Sequence, residues 1–129
     1  NHRFGLYDMI ILKDNHVDYA GGIEKAIEAS KEYLKKTGKD LRIEIETRNL
    51  KEVQEALKTG GMHRIMLDNM KCATMKEAVA MIAGNYEVEA SGGVTAETIR
   101  EIAETGVDFI SVGALTHSVN SMDISLKAF

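Results

Sequence analysis

Two stretches of the chain alternate apolar and charged residues with a period of two. Leu41, Ile43 and Ile45 fall on one face, with Arg42, Glu44 and Glu46 on the other. Tyr86 and Val88 likewise oppose Glu87 and Glu89. Such alternation predicts strands, here over Leu41–Glu46 and Tyr86–Ala90. Shorter apolar runs predict three more, at Tyr7–Leu12, His63–Asp68 and Asp108–Val112. Between them the period lengthens. From Gly21 to about Thr37, Ile23, Ala26, Ile27, Ser30, Tyr33 and Leu34 form one stripe at helical spacing, and Gly38 stops the helix. Asn49 caps a second helix running to about Lys58, with Val53, Ala56 and Leu57 inward and Gly60 beyond its end. Further helices are expected over Thr74–Ala83 and from Thr95 to about Thr105. Thr116 onward reads as loop and short helix, and Ile124–Phe129 as an apolar tail.

The resulting order is β-α-β-α-β-α-β-α-β, with no linker and no repeated sequence. Regular alternation implies a parallel sheet with right-handed crossovers in an α/β fold. Two architectures fit: a flavodoxin-like open sheet with helices on both faces, or the C-terminal part of an incomplete α/β (TIM-like) barrel. Central strands of a doubly wound sheet are apolar on both faces. Glu44, Glu46, Glu87 and Glu89 contradict that on two strands. A barrel needs helices on its outside only and can hold polar groups within, so the charged faces favour the barrel piece. Residues 1–129 are then one partial barrel domain whose first strands lie elsewhere. The opening Asn1-His2-Arg3-Phe4-Gly5-Leu6, polar and without an initiating Met, suggests a chain cut from something longer.

Composition narrows the function. The net charge of −4 over 129 residues argues against a nucleic-acid partner. No apolar run approaches a membrane span, and no signal peptide opens the chain. Cys72 stands alone, which rules out a disulfide framework and points to a reducing, cytoplasmic setting. There is no Gly-x-x-x-x-Gly-Lys, Gly-x-Gly-x-x-Gly or Gly-x-Ser-x-Gly element.

The candidate chemistry gathers at strand ends. Ser91-Gly92-Gly93 closes one strand and Val112-Gly113-Ala114 the next, each followed by a Thr or Ser able to cap a helix. In an α/β barrel, loops in this position commonly hold phosphate, so the pair suggests a phosphate cradle with His117 beside it. The same glycines also suit plain tight turns. Glu46 and Asp68 sit at neighbouring strand ends, where two carboxylates can bind sugar hydroxyls, hold Mg²⁺ or stabilise developing positive charge. Structural capping or pairing of Glu44 with Arg42 is the plainer reading. His2, Arg3 and Lys13 add positive charge to the same rim and suit a substrate with acid groups. His16 and His63 lack the spacing of a zinc site.

These stretches also resemble a known family. Asn1-His2-Arg3-Phe4-Gly5-Leu6-Tyr7-Asp8, Leu12-Lys13-Asp14-Asn15-His16, Glu44-Ile45-Glu46, Met66-Leu67-Asp68-Asn69, Glu89-Ala90-Ser91-Gly92-Gly93, Thr105-Gly106-Val107-Asp108 and Ser111-Val112-Gly113-Ala114-Leu115-Thr116-His117-Ser118 resemble, in order, quinolinate phosphoribosyltransferase. The resemblance implies transfer of a phosphoribosyl group from phosphoribosyl pyrophosphate to quinolinate with decarboxylation. The products are nicotinate mononucleotide, CO₂ and pyrophosphate, in NAD biosynthesis. It implies Mg²⁺ as cofactor and a homodimer or higher assembly. It implies that His2, Arg3 and Lys13 hold the quinolinate carboxylates, and that Glu46 and Asp68 bind the ribose hydroxyls and the metal–pyrophosphate end. Ser91, Gly92, Gly93, Gly113 and His117 would form the phosphate loops, with Lys13, Glu46 and Asp68 as the catalytic set. The family's N-terminal domain and its upstream Thr-Arg-Lys-type motif have no counterpart in these residues. The other class of function left open is a non-catalytic, flavodoxin-like phosphate- or protein-binding module.

Overall fold

The computed structural model describes residues 9–13, 21–112 and 124–127. Its elements are β1 (Met9–Leu12), α1 (Ile23–Thr37), β2 (Arg42–Thr47), α2 (Leu50–Thr59), β3 (Arg64–Asp68), α3 (Cys72–Ile82), β4 (Glu87–Ser91), α4 (Ile99–Ala103), β5 (Phe109–Val112) and β6 (Ile124–Lys127). The strands pair in chain order, β1-β2-β3-β4-β5-β6. The first five are parallel, and β6 returns antiparallel to β5.

That order decides between the two architectures. A flavodoxin-like sheet reverses its strand order at a switch point, which sends helices to both faces. Here the order never reverses. Right-handed crossovers between successive neighbours put every helix on the same side. The sheet is therefore a single-wound arc of an α/β barrel, and the open-sheet alternative is overturned.

The two faces differ in chemistry as the alternation predicts. Ile43, Ile45 and Thr47 of β2, Ile65 and Leu67 of β3, Val88 and Ala90 of β4 and Ile110 of β5 are all buried. The apolar members join Ile23 and Ile27 of α1, Val53 and Ala56 of α2, Met75, Ala78 and Ile82 of α3 and Ile102 of α4 in one core. Thr47 is tolerated there because its hydroxyl donates to the Met66 carbonyl at 2.8 Å. The opposite, inner face carries Arg42, Glu44 and Glu46, then Arg64, Met66 and Asp68, then Glu87, Glu89 and Ser91, then Phe109.

Local signals place the helix ends. Gly38 ends α1 in a left-handed conformation, φ 68°. Asn49 caps α2 by accepting from the Glu52 N–H at 2.9 Å.

Several expected boundaries shift. Tyr33 is 49% exposed rather than part of the buried stripe of α1. The third helix starts at Cys72, not Thr74. The fourth is shorter than expected, because Thr95–Thr98 is spent on a turn in which the Thr95 N–H donates to Thr98 Oγ1. The apolar tail supplies β6 over Ile124–Lys127, for which Phe109, Ile110, Ser111 and Val112 provide the pairing edge. The loop and short helix expected from Thr116 lie outside the described residues.

Candidate functional site at the strand C-terminal ends

Because β1 to β5 run parallel, their C-terminal ends share one edge. Lys13 follows β1 and is exposed. Glu46 is the next-to-last residue of β2, and Asp68 and Ser91 end β3 and β4. Glu46 pairs in register with Met66, and Asp68 with Ser91. Glu46 and Asp68 thus point to the same face as diagonal neighbours on adjacent strands. Both are half-buried.

The turn after β4 comes against the turn after β3. The Asn69 N–H donates to the Ser91 carbonyl at 2.7 Å, closing the last strand pair, Asp68–Ser91. Gly92 and Gly93 have φ of 83° and 63°, the left-handed region that glycine enters without steric cost. A Cβ on Gly92 would stand 3.0 Å from the Asn69 nitrogen and 3.2 Å from Asp68 Oδ1. Gly92 is therefore required twice, by its backbone angle and by the Asp68 carboxylate lying beside it.

Below this rim the inner face holds a buried charge network. Arg64 Nη1 donates to Glu89 Oε1 at 3.0 Å, and its Nε and Nη2 donate to Glu87 Oε1 at 3.2 and 3.1 Å. The guanidinium lies over the Phe109 ring, 3.9 Å from its centre. Arg42 Nη2 reaches the same Glu87 oxygen at 2.7 Å. Glu44 is 2% exposed and shares a side-chain hydrogen bond with Glu89. Burial raises its pKa from 4.5 to about 8, with the Glu89 hydrogen bond and charge adding to the rise and Arg64 opposing it. Glu44 is accordingly protonated at neutral pH. Two guanidiniums then face the two carboxylates Glu87 and Glu89. The expected Glu44–Arg42 pair does not form; Arg42 is turned to Glu87.

Among the described residues, depressions lie at both edges of the sheet. One, about 500 Å³, opens at the N-terminal edge between Arg42, His63, Tyr86 and Phe109. There His63 Nδ1 accepts from the Ile43 N–H at 3.0 Å, a structural role. The other, about 540 Å³, lies beside the C-terminal rim between Asn69, Cys72, Gly93 and Glu101. Burial pushes the Cys72 thiol up from its ordinary value of 9.0, and the Glu101 carboxylate beside it adds to the shift. A thiol held in that form is a poor nucleophile. Among the described residues no three His, Cys, Asp or Glu side chains form a ready metal cluster.

A sequence model of the family described as "Quinolinate phosphoribosyl transferase, C-terminal domain" matches residues 1–127. The chain belongs to this family. It is 48% identical to the chloroplastic nicotinate-nucleotide pyrophosphorylase [carboxylating] of Arabidopsis thaliana, over 98% of this chain and 40% of that protein. It is 42% identical to the probable enzyme of the same name from Bacillus subtilis, over 98% of this chain and 42% of that one. Among solved structures, the nicotinate-nucleotide pyrophosphorylase from Francisella tularensis superposes with a TM-score of 0.77 at 38% identity, covering 98% of this chain and 44% of that one. The chain thus spans about two fifths of the length of the relatives it matches.

The quinolinate phosphoribosyltransferase C-terminal fold brings together Glu46, Asp68, Ser91, Gly92 and Gly93 of the expected site, and places Lys13 on the same edge. His2, Arg3, Gly113 and His117 lie outside the described residues. Sequence reasoning missed Arg64, the hub of the inner face. Its signal was present: an Arg begins β3 on the face where β2 and β4 carry their glutamates. Taken by itself, the run from His63 to Asp68 shows only an apolar strand.

Proposed function

We propose that this chain carries the phosphoribosyl site of a phosphoribosyltransferase that converts quinolinate and phosphoribosyl pyrophosphate to nicotinate mononucleotide, CO₂ and pyrophosphate, a step of NAD biosynthesis. One observation carries the reading. Glu46 and Asp68 share the inner face at the ends of adjacent parallel strands, and the Gly92–Gly93 turn lies against Asp68. Carboxylates suit ribose hydroxyls, and a glycine turn with open backbone N–H groups suits phosphate.

In the reaction the pyridine nitrogen lone pair bonds to the anomeric carbon as the bond to pyrophosphate breaks, and the pair leaves on the pyrophosphate oxygen. Positive charge develops on the sugar, and Glu46 and Asp68 are placed to stabilise it. The carboxyl group next to the nitrogen then leaves as CO₂, and a proton takes its place on the ring. Lys13 keeps positive charge at the rim for the dicarboxylate; His2 and Arg3 are assigned the same role from the family pattern. Gly113 and His117 are assigned with Ser91, Gly92 and Gly93 to the phosphate ends.

The site suits Mg²⁺, which commonly binds through one or two carboxylates plus substrate phosphates. Glu46 and Asp68 are the carboxylates we assign to it. When bound, the ion would offset the charge of the pyrophosphate group. We assign the intact protein a homodimeric or higher assembly. A reducing compartment such as the cytoplasm fits the lone Cys72, while the names of plant relatives place those proteins in chloroplasts or mitochondria. No helix among the described residues is long and apolar enough to cross a membrane.

Calorimetric titration of the full-length protein with phosphoribosyl pyrophosphate and Mg²⁺ tests the reading. Saturable binding that Asp68→Ala weakens at least about tenfold is expected, the scale of a charge-assisted contact. Wild-type binding that Asp68→Ala leaves unchanged would remove Asp68 from the site. No wild-type binding would remove the proposal.

A further inference from the structure

Asn69 follows Asp68 and is one of two non-glycine residues with positive φ among those described, at 57°. The other, Ala83, ends α3. A left-handed residue at a strand end marks a sharp turn, one that Asn enters more readily than most residues and that a β-branched residue enters only at a cost. The Asn69 N–H makes the last bond of the β3–β4 ladder, to the Ser91 carbonyl at 2.7 Å, and the left-handed turn at Asn69 then carries the chain out of the strand direction. That bond holds the end of β3 to the end of β4 at the point where the chain turns.

The fastening fixes a close contact. With its backbone pinned to Ser91, Asn69 forms the wall that a Cβ on Gly92 would strike at 3.0 Å from its nitrogen and 3.2 Å from its Cα. Asp68 Oδ1 stands on the same side, 3.2 Å from that position. The Asn69 side-chain oxygen comes to 3.5 Å of the corresponding point on Gly93. The carboxylate and the two-glycine turn are therefore seated against each other through one backbone joint.

We propose that Asn69 is a positioning residue of the phosphoribosyl site. Its left-handed turn, tied to Ser91, holds the Asp68 carboxylate against the Gly92–Gly93 turn, so that the groups for the sugar and for the phosphate keep one fixed spacing. Asn69 acts through Asp68 and Gly92, and no contact with the ligand is assigned to it. The inference rests on the function proposed above. A ligand that spans both groups, as phosphoribosyl pyrophosphate does, feels the spacing directly. Quinolinate, assigned to the rim at Lys13, does not.

The test uses the full-length protein, titrated separately with phosphoribosyl pyrophosphate plus Mg²⁺ and with quinolinate, and melted to confirm folding. Asn69→Val puts a β-branched residue where φ is positive. Gly92→Ala keeps Asn69 but drives a methyl group between it and Asp68. Asn69→Gly keeps the turn and loses the side chain. Small displacements of binding groups are costly, so Asn69→Val and Gly92→Ala should each weaken phosphoribosyl pyrophosphate about tenfold or more and leave quinolinate unchanged. Asn69→Gly should stay within about threefold of wild type, because glycine adopts the same backbone angle freely.

Equal weakening of both ligands would mean a general structural role and overturn the inference. So would unchanged affinity in Gly92→Ala, or an Asn69→Gly protein as impaired as Asn69→Val. If Asn69→Val fails to fold, the milder Gly92→Ala decides. A wild-type protein that binds no phosphoribosyl pyrophosphate removes the proposed function and this inference with it. Wild-type binding with indifferent variants removes the inference alone.

Discussion

Glu44 and Glu89, on strands separated by β3, share a side-chain hydrogen bond inside the barrel arc. Two carboxyl groups can do this only with a proton between them, and burial keeps that proton on Glu44 to a pKa of about 8. Glu44 Oε2 is buried, and no protein donor reaches it among the described residues. Glu89 in turn is held by Arg64, so one guanidinium and one proton together neutralise a buried acidic pair.

Stability should therefore fall with rising pH. The folded state holds the Glu44 proton above the ordinary value of 4.5, so between there and about pH 8 it binds more protons than the unfolded chain. Stability from this group is fully present below the lower value, falls as pH rises through the window, and is flat above it. A tenfold change in proton affinity corresponds to about 1.4 kcal/mol, so the whole effect is on the order of a few kcal/mol. Urea unfolding across pH 5 to 9 should show the decline. Glu44→Gln carries a permanent donor in place of the protonated acid and should flatten it. An equally steep decline in the Gln variant would mean that another group titrates.

Arg64 supplies the second prediction. It is 6% exposed, and its partner Glu89 4%, so removing it strands a buried carboxylate. Arg64→Met should cost about 3–5 kcal/mol in urea unfolding, the scale for breaking one side of a buried pair. Arg64→Lys should recover little, since one ammonium lacks the fork that reaches Glu87 and Glu89 together and lies flat on Phe109. Adding Glu89→Gln to Arg64→Met should restore much of the loss. Additive losses in the double variant would show that the two residues do not act as a pair.

How much of this could be read in the chain follows from the range of each interaction. The alternation of Glu44, Glu46, Glu87 and Glu89 with apolar neighbours is local, and it correctly marked a polar inner face and hence a barrel. The Asn49 cap and the Gly38 stop are local too. The partners across strands were not legible. Whether Glu87 meets Arg42 or Arg64 depends on register between distant segments, as the 45-residue separation of Arg42 and Glu87 shows. Glu46, Asp68 and Ser91–Gly93 were legible as strand-end residues, but the Asn69 joint was not, because a single positive φ leaves no periodic trace. The pairing of Ile124–Lys127 with β5 was missed for the same reason as the ion pairs: an apolar tail does not name its partner strand.

A local signal sets the start of α2. Asn49 accepts from Glu52 N–H at 2.9 Å, and the Glu52 carboxylate accepts in return from the Arg48 N–H at 2.6 Å. Asn49→Ala removes one side of this exchange and should destabilise the chain by about 1 kcal/mol. Asn49→Asp keeps an acceptor at the helix start and should cost less. Thermal melts of the two variants give the order directly; equal losses would place the cap's value elsewhere than in the accepted N–H.

The two proposed ligands should separate along the strand edge. Lys13 follows β1 and Asp68 ends β3, with β2 between them. Neighbouring strands lie about 4.8 Å apart, so these two positions are on the order of 10 Å apart across the sheet. That spacing suits a pyridine dicarboxylate at one end and a phosphoribosyl group at the other. Lys13→Ala should weaken quinolinate about tenfold, the loss of one charge-assisted contact, while phosphoribosyl pyrophosphate binds as before. Asp68→Ala should do the reverse. Separate titrations of the full-length variants check both arms. If Lys13→Ala weakened phosphoribosyl pyrophosphate instead, the basic rim would belong to the pyrophosphate end, and the assignment of Lys13 to the dicarboxylate would fall while that of Asp68 stood.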